Sequence, residues 1–130
     1  MAHFILEYSS NLAPTEIDIR ALLQEIVTAA IDTGVFPAAG CRARAHRCED
    51  YFVGNGDPQF CFLHLQVRMG AGRSPEEKDR ALAALKEVLV AHTQALAATR
   101  GTAVSIELVD LPEYKANINN LREYIAPQEE

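Results

Sequence analysis

The sequence predicts an α+β fold: two tandem βαβ units forming a four-stranded sheet with two helices on one face. Three observations carry this expectation. Apolar residues alternate with period two in four stretches, they recur at three- and four-residue spacing in two more, and the order strand, helix, strand is met twice with a loop between. Each unit is expected to close as a parallel pair through a right-handed crossover. The halves span about 2–48 and 59–111, an arm follows over 112–130, and the whole is read as a single domain. With 48 % hydrophobic and 23 % charged residues, the chain has the composition of an ordinary folded protein rather than a disordered one.

The first strand, Met1 to Ser9, sets Phe4, Leu6 and Tyr8 on one side and His3, Ile5 and Glu7 on the other. Because alanine is small, Met1 is expected to be removable, which would leave the α-amine of Ala2 at the start of an ordered strand. Such an amine has an ordinary pKa of about 7.7–8.0 and accepts a proton near neutrality when its surroundings depress it. Against this stands the common fate of chain termini, which is to fray. Asn11 to Thr15 forms a turn. The helix that follows buries Ile19, Leu22, Leu23, Ile26, Val27, Ala30 and Ile31, with Thr15 or Asp18 as its cap and Gly34 as its end. Gly34 to Gly40 turns the chain into Cys41–Cys48. There Cys41, Ala43 and Ala45 alternate with Arg42, Arg44 and His46, a cationic row that on a generic sheet is a solvated outer face.

Glu49 to Pro58, with Gly54-Asn55-Gly56-Asp57-Pro58, is the loop that divides the chain. After it Cys61, Leu63, Leu65, Val67 and Met69 alternate with Phe62, His64, Gln66 and Arg68 in a half-buried strand. Gly70-Ala-Gly-Arg-Ser then leads into the best-signalled helix. Ser74 is the N-cap, Pro75 takes the first helical position, and Glu77 completes a capping box. Arg73 is left at the strand-to-helix turn. Ala81, Leu82, Leu85, Val88, Leu89 and Leu96 form the buried stripe, and Gly101 stands in the C′ position. Thr102 to Leu111 is the fourth strand. From Pro112 on, the chain is polar and thinly apolar, an arm suited to lie on a neighbouring subunit.

A net charge of −6 argues against nucleic acid as a partner, since phosphate binding needs a basic surface. No apolar run is long enough for a membrane span and the N-terminus does not read as a signal peptide, so the expected location is cytoplasmic. Three cysteines without CxxC spacing read as reduced thiols. His46, Cys48, Cys61 and His64 lack the closely spaced ligand pairs of a zinc site, and no metal is expected. One face of the sheet has no cover, which predicts an oligomer.

The segments Met-Ala-His-Phe-Ile-Leu-Glu-Tyr-Ser-Ser-Asn, Thr33-Gly-Val-Phe-Pro-Ala-Ala-Gly, Arg42-Ala-Arg-Ala-His, Phe62-Leu-His-Leu-Gln-Val and Gly70-Ala-Gly-Arg-Ser, in this order and spacing, carry a resemblance. The chain resembles the 5-carboxymethyl-2-hydroxymuconate isomerase branch of the tautomerase superfamily, which acts in homoprotocatechuate degradation within aromatic compound catabolism. The resemblance implies a tautomerase-like fold, a homotrimer, no cofactor, and an isomerase that moves a proton in an unsaturated 2-hydroxy/2-oxo dicarboxylate. It implies Ala2, Arg42 and Arg73 as catalytic residues and Arg44 as a substrate-binding residue. Where the family has an amino-terminal proline this chain has Ala2, whose primary amine lacks the ring and can also condense with a carbonyl to an imine. Two other functions are compatible with the same residues: a dicarboxylate-binding relative with different or slow chemistry, and a trimeric structural protein.

Overall fold

The computed structural model describes residues 1–125. It contains strand β1 (Ala2–Ser9), helix α1 (Ile19–Asp32), strands β2 (Cys41–Cys48) and β3 (Cys61–Met69), helix α2 (Pro75–Thr99) and strand β4 (Thr102–Asp110). Short 3-10 turns lie at Ala38–Gly40 and Leu121–Glu123. The sheet order is β2-β1-β3-β4, with β1/β2 and β3/β4 parallel and β1/β3 antiparallel. The two βαβ units expected from the sequence are therefore present, joined through their first strands. Residues 126–130 of the expected arm lie outside the described residues.

The faces of the sheet follow from period two. Phe4 and Leu6 of β1 and Cys61, Leu63, Leu65, Val67 and Met69 of β3 are fully covered, packed against Leu22 and Ile26 of α1 and Leu85 and Leu89 of α2. The opposite face carries His3, Ile5 and Glu7 on β1, Arg42, Arg44 and His46 on β2, and His64, Gln66 and Arg68 on β3, all half-buried or exposed. It is a polar face.

Local signals explain the helix ends. Asp18, not Thr15, caps α1, accepting a hydrogen bond from the Ala21 amide at 3.1 Å, and Gly34 leaves the helix at φ +80°. On α2 the capping box is complete: the Glu77 amide donates to Ser74 Oγ at 3.1 Å and the Ser74 amide to Glu77 Oε1 at 2.9 Å.

Two expectations for α2 need correction. Leu82 lies at the edge of the buried stripe and is 37 % exposed, whereas Thr93 is buried, its hydroxyl turned back onto the Leu89 carbonyl at 2.8 Å. Gly101 is not a left-handed cap, because the helix ends on Arg100 in extended geometry. It is glycine for want of room: a Cβ there would lie 2.5 Å from the Phe60 ring.

Candidate active site

Strand directions gather the site. Because β2 runs parallel to β1, both strands begin at the same edge of the sheet, and Ala2 stands in register with Cys41 and His3 with Arg42. Because β3 runs antiparallel to β1, its end arrives at that edge too, with Met69 beside Ala2 and Arg68 beside His3. The turn after β3 then delivers Arg73. Residues far apart in sequence thus meet at the start of β1.

Ala2 is 1 % exposed, wedged between Cys41 and Met69. With Met1 in place its nitrogen is a peptide amide, and the Met1 carbonyl accepts from the Gly70 amide at 3.2 Å. Burial first, then the Arg73 guanidinium, hold the α-amine of Met1 below its ordinary 8.0; Cys41 opposes them, and Arg42 and Lys115 add smaller pushes downward. Gly40 permits this close approach, since a Cβ on it would come 3.0 Å from the Met1 nitrogen. The Cys41 thiol is itself pushed up by burial, so it stays protonated near neutral pH.

The three arginines expected to serve the site differ in their engagements. Arg42 directs its guanidinium at the Met1 sulfur. Arg73 donates to the carbonyls of Gly70 at 2.8 Å and Val35 at 3.1 Å, and its guanidinium lies 5.3 Å from the centre of the Phe36 ring. It therefore also ties together the turns that follow α1 and β3. Arg44 sits farther along the open face, with Nη1 3.1 Å from Nδ1 of His3. Burial and then Arg42, Arg44 and Arg68 lower the pKa of His3, which favours its neutral form. Arg42 and Arg73 thus bracket the terminus, while Arg44 joins a cluster on the polar sheet face.

The sequence reading missed the arm's part in this edge. Asn119 Nδ2 donates to the Ala39 carbonyl at 2.8 Å, so the arm folds back over the start of its own β2. A cavity of about 340 Å³ lies there, lined by Met1, Pro37, Ala39 and Gly40 together with Asn119, Asn120, Arg122 and Glu123 of the arm. The arm has neither helical nor strand periodicity, and no sequence signal locates such a segment. Among the described residues, no group of three or more His, Cys, Asp and Glu side chains is placed to hold a metal ion.

Two βαβ units joined antiparallel, with the chain start at the cationic edge of the sheet, make the tautomerase-like fold that the sequence led us to expect. A solved structure described as a fused 4-OT wild-type symmetric trimer shares this fold, with TM-score 0.64 and 20 % identity over 84 % of this chain and 86 % of its own. The sequence narrows the class further. A family model described as 5-carboxymethyl-2-hydroxymuconate isomerase matches residues 2–125, and the chain belongs to that family. It is 34 % identical over 122 residues to the 5-carboxymethyl-2-hydroxymuconate Delta-isomerase of Escherichia coli, covering 93 % of this chain and 96 % of that protein. A crystal structure of a 5-carboxymethyl-2-hydroxymuconate isomerase from Deinococcus radiodurans superposes with TM-score 0.89 and 35 % identity, over 95 % of this chain and 92 % of the other.

Proposed function

We propose that this protein is a cofactor-independent isomerase of 5-carboxymethyl-2-hydroxymuconate, or of a closely similar 2-hydroxy/2-oxo dicarboxylate, in the breakdown of aromatic compounds. The observation that carries the reading is the placement of the chain start: Ala2 is buried at the head of β1, and the α-amine of Met1 just before it is held below its ordinary value by burial and then by Arg73, with a smaller push from Arg42. After removal of Met1, the free amine of Ala2 takes a proton from one end of the conjugated dienol. The electron pair moves through the conjugated system, and the proton returns to carbon at the other end. Composition and oxidation state are unchanged, so the step consumes no co-reactant. Arg42 and Arg73 hold a carboxylate and the charge that develops on the 2-oxygen, a task suited to the guanidinium fork, and Arg44 supports substrate from the open face.

The working form is a homotrimer in the cytoplasm. The uncovered polar sheet face and the exposed Ile118 and Tyr124 of the arm support the assembly, as does the trimer of similar fold. No helix among the described residues is long and apolar enough to cross a membrane.

The test is the ultraviolet rate of dienol ketonisation in four preparations: Met-free, Met-retained, acetylated, and Ala2→Pro. Moving or blocking the base should cost roughly a hundredfold or more, and Ala2→Pro should raise turnover by restoring a secondary amine. Equal rates in all four would mean that the amine is not the base. The same result would favour dicarboxylate binding without this chemistry, a reading that the alanine at position 2 and the prior engagements of Arg73 already make the second choice.

A further inference from the structure

The arm places a guanidinium in the cavity beside the chain start. Leu121 donates its amide to Asn119 Oδ1 at 2.9 Å, and Glu123 donates its amide to the Asn120 carbonyl at 3.0 Å. This turn, pinned through Asn119 to Ala39, sets Arg122 and Glu123 in the wall of the cavity that Met1 also lines. Among the described residues Arg122 has neither a hydrogen bond nor an ion pair, whereas Arg73 is engaged by the carbonyls of Gly70 and Val35. Glu123, on the same wall, repels an anion placed against it and so favours the Arg122 side.

We infer that Arg122 is a specificity residue that binds the substrate carboxylate farthest from the reacting atoms. The inference rests on the proposed function. The compound for which the family is named carries, by that name, two muconate carboxylates and a third on the carboxymethyl branch. Arg42 and Arg73, beside the amine, serve a carboxylate and the 2-oxygen. Neither Arg42 nor Arg73 lines the cavity beside Met1, and Arg122, which does, has no partner among the described residues and is left for the outlying carboxylate.

The experiment compares Arg122→Ala and Arg122→Lys with the parent protein on 5-carboxymethyl-2-hydroxymuconate and on 2-hydroxymuconate, which lacks the branch. Arg122→Ala should raise KM for the branched compound about tenfold, equivalent to about 1.4 kcal/mol, with kcat within about twofold. KM for the unbranched compound should not move, and Arg122→Lys should recover most of the loss. An equal rise on both compounds, a fall confined to kcat, or no change overturns the inference. Calorimetry with tricarballylate and glutarate decides it without turnover. The parent protein should prefer the tricarboxylate, and Arg122→Ala should lose that preference while keeping its affinity for glutarate. A parent without the preference, or a variant that retains it, overturns the assignment. If the parent turns over neither dienol yet the calorimetric preference behaves as expected, the isomerase reading fails and the role of Arg122 stands.

Discussion

The two ends of β1 use arginine in opposite ways. At the Ser9 end the arginine is answered by its own chain. Ser9 Oγ accepts from the Phe62 amide at 3.0 Å, and Asn11 Nδ2 donates to the carbonyls of Phe60 at 2.8 Å and Pro58 at 3.2 Å. The side chain of Arg100, 9 % exposed, donates to the Gln59 carbonyl at 2.8 Å and pairs with Glu16 at 2.8 Å. At the Ala2 end neither Arg42 nor Arg73 meets a carboxylate among the described residues. An arginine neutralised by its own chain is a structural clamp. Two that are not, set around a terminus with a depressed amine, leave a positive potential for an anion to fill.

The largest effect on stability should come from breaking the clamp. Arg100→Ala leaves the Gln59 carbonyl and its neighbours without their donor and should lower unfolding free energy by about 2 kcal/mol. Chemical denaturation measures the loss. Turnover of the protein that remains folded should be unchanged, because the clamp lies at the opposite end of β1 from the site. A variant as stable as the parent would show that the arginine's neighbours find water instead.

Next in size are the arginines at the other end. Arg42→Ala and Arg73→Ala should each weaken dicarboxylate binding by about 1.5–3 kcal/mol, read by calorimetry. They should differ in stability. Arg73→Ala also frees two carbonyls and a ring contact, so it should lower unfolding free energy by about 1 kcal/mol, while Arg42→Ala should leave it nearly unchanged. Unchanged affinity in both variants would remove them from the pocket.

Much of this contrast was legible in the sequence and some of it was not. Ser74, Pro75 and Glu77 mark the start of α2 through purely local hydrogen bonds, and the structure repeats them. The cationic row of β2 is visible from period two alone. What periodicity cannot reveal is which arginine has a partner, because partners come from elements distant in sequence: Glu16 for Arg100, Val35 for Arg73. Thr93 was missed for a related reason. Its hydroxyl is satisfied within its own helix, so a polar residue takes a buried position that hydropathy assigns to an apolar one. The arm escaped because its position rests on a side-chain bond to Ala39 rather than on any repeat.

The smallest effect is a displacement of the pH profile, and it tests the contrast most directly. The amine of Met1 is held below 8.0 by burial and then by Arg73, with a smaller push from Arg42. An amine on Ala2 would begin one residue deeper, at a position 1 % exposed, and should feel the same causes at least as strongly. The base is the neutral form, so kcat/KM should rise with pH through a value below 8.0 and level off above it. The stability linkage has the same sign. The depressed amine contributes stability in full above the unfolded value near 8.0, and that contribution is lost as pH falls through the folded value. Arg73→Ala removes the largest repulsive charge and should move the rising limb toward 8.0. Arg42→Ala should move it less. Arg100→Ala, at the other end of the strand, should leave it where it is. A limb at or above 8.0 in the parent, or one that Arg73→Ala does not shift, would mean that the group titrating in the reaction is not the amine at the head of β1.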